Sequence, residues 1–123
     1  MVDTLEHIHG RHILICDAEG PRVGNERDAT ALVETALNAG VRTIVVPTTR
    51  LSDAFFILST GLAGAVVQKI VNYRLNVVVI GDLTGPLKRS APLRDWVRES
   101  NRGDQLWFLD DLDALRTRLA EAR

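Results

Sequence analysis

Thr60-Gly61-Leu62-Ala63-Gly64, followed by Gln68-Lys69, Asn72-Tyr73-Arg74 and Gly81-Asp82, is the stretch with the densest chemical content in this chain. A hydroxyl residue precedes a glycine at an expected helix start. Small residues then open a helix that carries an amide and an ammonium group side by side, a combination that core packing does not require. Thr60 can act as a helix N-cap, its oxygen accepting an orphan backbone N–H. Gly61, Ala65, Gln68 and Asn72 follow helical spacing and form a stripe that is small at one end and amide-bearing at the other. Such a stripe packs on a neighbouring helix, presents a homodimer face, or lines a small pocket through Gln68 and Asn72. Gly64 lies one turn inside the helix, where glycine costs about 1 kcal/mol relative to alanine. Its presence there points to a close approach by a ligand or another backbone. Lys69 reads as a solvated side chain or as an anion contact.

A second group sits where strands are expected to end. Asp82 directly follows an apolar run, as a turn-forming acceptor or as a general base or ligand contact. Asp17 has the same two readings. Thr48 and Thr84 add hydroxyls at the same level. Cys16 ends an apolar run, where a small buried thiol is common, and the sequence places no base beside it. Arg94 and Glu99 read as a surface pair on one helix. His7, His9 and His12 cluster near the amino terminus, and strand alternation puts His7 and His9 on one face. No cysteine or firmly placed carboxylate completes a tetrahedral set, so no metal is expected. Trp96 and Trp107 read as core or interface anchors. No phosphate-loop, dinucleotide or nucleophile-elbow motif is present, so no cofactor is implied.

These residues must be held by α/β elements. Ile13–Cys16 is a buried strand, preceded by a weaker edge strand near Leu5–His9. Asn25 or Asp28 caps a helix through about Asn38, with Ala29, Leu32, Val33, Ala36 and Leu37 on one face and Gly40 as its stop. Thr43–Val46 is a β-branched central strand ended by Pro47. Ala54–Leu58 is one helical turn or extended. A helix runs from about Gly61 to Tyr73, with Leu62, Val66 and Ile70 in one apolar row and Ala63, Val67 and Val71 in the next. Val77–Ile80 is a strand, and Gly81–Pro86 is a loop rich in breakers. Ala91–Ser100 is a helix capped by Ser90, with Gly103 after its end. Leu106–Leu109 is the last strand. Asp110 or Asp111 caps a final helix to Ala122. The fold class is α/β, one domain over 1–123, with a mostly parallel four- to five-stranded sheet and about four helices. Residues 1–10 are flexible or form the edge strand. In such sheets ligand sites favour the carboxyl ends of the strands.

The bulk composition narrows the function classes. The 123 residues suit one domain with a real core. Apolar residues at 46% and charged residues at 25% match an ordinary soluble domain. A net charge of −1, with no basic run, gives no electrostatic case for nucleic acid or an anionic membrane. A single cysteine excludes an intrachain disulfide and fits a reducing cytoplasm. No apolar run approaches the roughly 20 residues a membrane helix needs.

Two resemblances meet at the same residues. Over about residues 51–110, Phe55-Phe56, Thr60–Gly64, Gln68-Lys69, Asn72-Tyr73-Arg74, Gly81-Asp82, Leu93-Arg94-Asp95 and Glu99–Gly103 resemble the bacterial domain of unknown function 4180 family. That family carries no assigned activity. It typically has an acid, a base and a glutamate where this chain has neutral Ile57, Ser59 and Ala65, which implies a lost or altered function. Ser59-Thr60-Gly61-Leu62 at a helix start is also similar to the hydroxyl-hydroxyl-Gly-Leu motif of STAS domains, the anti-sigma-factor antagonists. The order of elements fits too. That resemblance implies a STAS-like fold and phosphorylation at Thr60 by a partner kinase. The acid that normally precedes the hydroxyl pair is replaced by Leu58.

The leading expectation is a STAS-like regulatory or binding domain. It would engage a protein partner or small ligand through the Thr60–Gly64 helix start and the strand-end loops. The alternatives are a small cytoplasmic enzyme with a site near Asp82, Thr48 and Gln68, and a homodimerisation module using the Gly61 stripe.

Overall fold

The computed structural model describes residues 3–121. The chain runs β1 (Thr4–Ile8), β2 (Arg11–Ile15), α1 (Glu26–Ala39), β3 (Thr43–Pro47), α2 (Leu62–Val71), β4 (Asn76–Ile80), α3 (Thr84–Arg89), α4 (Ala91–Asn101), β5 (Leu106–Leu109) and α5 (Leu112–Glu121). Three single 3-10 turns, Thr48–Arg50, Asp53–Phe56 and Leu58–Thr60, join β3 to α2. The expected α/β class holds. The final helix was expected to reach Ala122, which lies outside the described residues.

The sheet has the order β1-β2-β3-β4-β5. β1 pairs antiparallel with β2, and the remaining pairs are parallel. Alternation along each strand divides the core. Leu14, Ile44, Val46, Val77, Val79, Leu106 and Phe108 face the buried stripes of α1 and α2. Ile13, Val45, Val78 and Trp107 face Leu115 and Leu119 of α5. Both faces are covered, which is why these strands read as unbroken apolar runs.

Strand order never reverses across the parallel part of the sheet. Crossovers of one hand therefore place α1 and α2 on the same face, and α5, which follows the last strand, covers the other. The crevice that a reversal of strand order creates in doubly wound folds has no counterpart here.

Side-chain caps set the helix ends. Asn25 caps α1, accepting the Asp28 N–H at 2.9 Å. Asp28 reaches back to the Gly24 N–H at 2.8 Å. The two candidate caps thus act as a reciprocal pair. Ser90 accepts the Leu93 N–H at the start of α4, and Asp111, rather than Asp110, accepts the Ala114 N–H at the start of α5.

Three expectations need correction. The stretch expected to be a loop over Gly81–Pro86 becomes helical at Thr84, giving five helices among the described residues. Pro86 is the third residue of α3, where its missing N–H costs nothing. α2 begins at Leu62 and ends at Val71, so Gly61 and Tyr73 lie outside it. His9 leaves the strand with φ of 46° and forms the hairpin turn with Gly10. His7 instead faces His12 across the hairpin, with stacked rings at 4.5 Å.

Candidate functional site

After Pro47 the backbone makes its three 3-10 turns before α2 can start, and Thr60 closes the last of them. Its hydroxyl lies 2.8 Å from both the Ala54 and Ile57 carbonyl oxygens and donates to them. Its oxygen accepts the Leu62 N–H at 3.2 Å. Gly61 occupies the N-cap position itself, with φ of 77°. Thr60 is therefore a clasp on the preceding turns more than a helix cap. Gly61 is explained by its left-handed backbone, which costs an L-residue energy. Ile57, on the same turns, is 54% exposed.

The rest of the α2 stripe faces outward. Gln68 and Asn72 are exposed and hydrogen-bonded to each other at 2.7 Å. Lys69 lies in the last turn, where its charge complements the helix dipole. Gly64 is exposed, and an added Cβ would meet nothing within 4 Å. No described residue makes the close approach expected there. Gly64→Ala should accordingly raise the stability of the isolated chain by up to about 1 kcal/mol, through helix propensity and a less free unfolded chain. Urea unfolding measures this. A fall in the midpoint would show that a second molecule packs against the helix.

Thr48 belongs to a different place, the carboxyl ends of β3 and β4. There Pro47, Ile80 and Leu112 make the apolar part of an open basin of about 510 Å³, rimmed by Thr48, Thr49, Gly81, Asp110, Asp111 and Asp113. Gly81 has φ of 139°, and a Cβ on it would sit 2.3 Å from the Thr48 hydroxyl oxygen. The two strand ends can touch only because Gly81 has no side chain. The carboxylates on the rim make the basin suited to neutral or cationic groups.

Neither Asp82 nor Gln68 lines this basin, so the trio Asp82, Thr48 and Gln68 does not share one cavity. Asp82 is exposed, and its carboxylate accepts the Thr84 N–H at 2.8 Å, opening α3. Hydrogen bonds from the Thr84 side chain and backbone hold its pKa below the ordinary carboxylate value. A general base working near neutrality is tuned in the opposite direction. Thr84 is exposed and serves this turn.

The residue that sequence reasoning passed over is Arg50. It is 7% exposed, rare for arginine. Its Nε donates to the Pro21 carbonyl at 2.5 Å and its Nη1 to the Asp17 carbonyl at 2.8 Å. Asp3 lies 3.9 Å from Nη1 and also accepts the Asp17 N–H at 2.9 Å. The Asp17 carboxylate accepts the Glu19 N–H at 2.7 Å. Arg50 thus ties the loop after β2 to the first turn after β3. Its only sequence signal was an arginine at a strand end.

Cys16 lies beneath this network. Burial, together with the Asp3 carboxylate, pushes its pKa up to about 11, partly offset by Arg50. The folded thiol should resist an aromatic disulfide reagent at neutral pH until the chain unfolds. A raised thiol pKa favours folding until the unfolded thiol ionises. Stability should then fall by roughly 2–3 kcal/mol as pH rises from about 9 to about 11. Denaturation midpoints for Cys16→Ala, compared with the parent chain, isolate this effect. An unchanged difference across that range would place the thiol in water.

The tryptophans are anchors, as expected. Trp96 packs between Phe55 and Phe108, with centroids at 6.2 and 5.3 Å. Trp107 donates to the Gly103 carbonyl at 2.7 Å, and the Arg118 guanidinium lies 4.1 Å from its ring centroid. Arg94 donates to the Leu87 carbonyl and so joins α4 to the end of α3, instead of making the expected surface pair with Glu99. Among the described residues, no three His, Cys, Asp or Glu side chains are placed to hold a metal ion, and no helix is long and apolar enough to cross a membrane.

Comparison with curated proteins and with solved structures gives no significant match. The family model described as domain of unknown function (DUF4180) matches residues 8–119. The likeness seen over the central part of the sequence extends from β1 into α5, and the chain belongs to the DUF4180 family.

Proposed function

We propose that this chain is a binding domain of STAS-like regulatory type, which engages a protein partner through residues 53–64. The observation that carries the reading is the Thr60 clasp beside exposed Ile57. Ile57 stands in water on a hydrogen-bonded turn, an ordered position from which an apolar side chain can enter a partner's pocket. The clasp also supplies a switch. Phosphorylating Thr60 removes the O–H donor and sets a dianion against two carbonyl oxygens. The three turns could not keep their arrangement, and the surface that presents Ile57 would change.

The test places a photo-crosslinking residue at position 57 and, as a control, at exposed Glu34. The reading expects one discrete protein adduct from position 57 alone. The purified adduct partner should lose roughly tenfold in affinity with Ile57→Asp and with Thr60→Glu. Equal adducts at both positions, or affinity indifferent to both substitutions, would remove the proposal.

A second reading is supported by the strand-end basin, whose 510 Å³ lies in the range of small-ligand sites. It would hold a neutral or cationic molecule against Pro47, Ile80 and Leu112. A homodimer through the outward α2 stripe is the third reading, and sedimentation of the Gly64→Ala variant beside the parent chain tests it.

A further inference from the structure

The amino-terminal edge of the sheet, away from the surfaces just described, carries a second kind of site. The hairpin turn, the start of β2, the α1–β3 connection and the start of β4 enclose a cavity of about 340 Å³. Arg11, His12, Arg42, Thr43 and Asn76 line it. Beside it lies a groove of about 260 Å³ formed by Leu37, Val41, Tyr73, Leu75 and again Arg42. Leu37 and Tyr73 are 51% and 48% exposed, two of the four large apolar side chains left in water among the described residues. No carboxylate lines either cavity. Among the described residues, Arg11, Arg42 and Arg74 have no ion-pair partner. Two arginines, a histidine, a threonine and an asparagine therefore line one cavity at the starts of the strands with no carboxylate among them, next to an apolar groove.

We propose that this edge binds a small organic anion. An acidic head group, carboxylate or phosphate, enters the cavity between Arg11 and Arg42, and an apolar tail or ring lies over Leu37 and Tyr73. Guanidinium forks suit both head groups, since each can accept two parallel N–H donations. The arginine cavity has the volume of a small-molecule site rather than of a peptide groove. Arg42 belongs to both cavities and links head to tail. The chain's net charge of −1 does not oppose this, because the field that matters is local.

Amide NMR titration of the full chain tests the proposal with four probes: octyl phosphate, octanoate, inorganic phosphate and 1-octanol. The expected result is saturable shifts at Arg11, His12 and Arg42 with an eight-carbon acid. Inorganic phosphate and 1-octanol should each bind at least roughly tenfold more weakly. Whichever acid binds tighter identifies the head group. Arg42→Ala should weaken the acid about tenfold, Arg42→Lys less, and Leu37→Ser should weaken the acid while leaving inorganic phosphate unchanged. Both side chains are exposed, so melting temperatures should match the parent chain. Three results would overturn the proposal: no saturable shift at these amides up to about 10 mM of either acid, equal binding of 1-octanol and octanoate, or binding indifferent to Arg42→Ala.

Discussion

Arg50→Ala should destabilise the chain by about 2–4 kcal/mol, one of the largest losses available to a single substitution outside the apolar core. The substitution removes the two hydrogen bonds to the Asp17 and Pro21 carbonyls of a partly buried loop, while the Asp17 carbonyl keeps the longer Gly20 N–H bond at 3.4 Å. It also strips the Asp3 carboxylate of its cation. Arg50→Lys should recover little, because one ammonium cannot reach two carbonyls that lie in different directions. Gly20 supplies an independent check. A Cβ there would lie 2.5 Å from the Arg50 guanidinium carbon, so Gly20→Ala should cost about 1–3 kcal/mol alone. It should cost much less in the Arg50→Ala background, because the colliding group is gone. Denaturant midpoints of the four chains give the coupling. Strict additivity, or an Arg50→Ala loss under about 0.5 kcal/mol, would mean that the guanidinium is not the tie described.

Gly81→Ala should cost about 2–4 kcal/mol for two separable reasons. The backbone sits at φ of 139°, which L side chains rarely adopt. The new methyl would also stand 2.3 Å from the Thr48 hydroxyl oxygen and 2.9 Å from its methyl carbon. Thr48→Ala in the Gly81→Ala background removes those two atoms and should restore part of the loss. It cannot restore all of it, since the Thr48 Cβ remains at 3.1 Å and the backbone strain is untouched. Thermal unfolding of the single and double variants separates the terms. Full recovery would assign the whole cost to the clash, and no recovery would assign it to the backbone. A neutral Gly81→Ala would mean that the two strand ends do not meet.

Much of the architecture is determined by local chemistry alone. The runs Ile13–Cys16, Thr43–Val46, Val77–Ile80 and Leu106–Leu109 are short, almost wholly apolar and bounded by polar or breaker residues, so they read as strands buried on both faces. The spacing of Ala29, Leu32, Val33 and Ala36 specifies α1 for the same kind of reason, and Asn25 and Ser90 mark helix starts because their oxygens replace missing backbone acceptors. Hence the class, the four parallel strands and most helices follow from sequence, while the edge strand β1 was left open between a four- and a five-stranded sheet. Three things were decided by tertiary structure. Arg50 is buried because two loop carbonyls distant in sequence converge on it, which no local pattern encodes. Gly64 was expected to mark a close approach but faces open space, since a missing side chain looks the same whether the space is filled or empty. Thr48 and Gly81 came together in one basin while Gln68 and Asp82 stayed out of it. Membership of a strand end is local, but which strand ends adjoin depends on the order in which the whole sheet assembles.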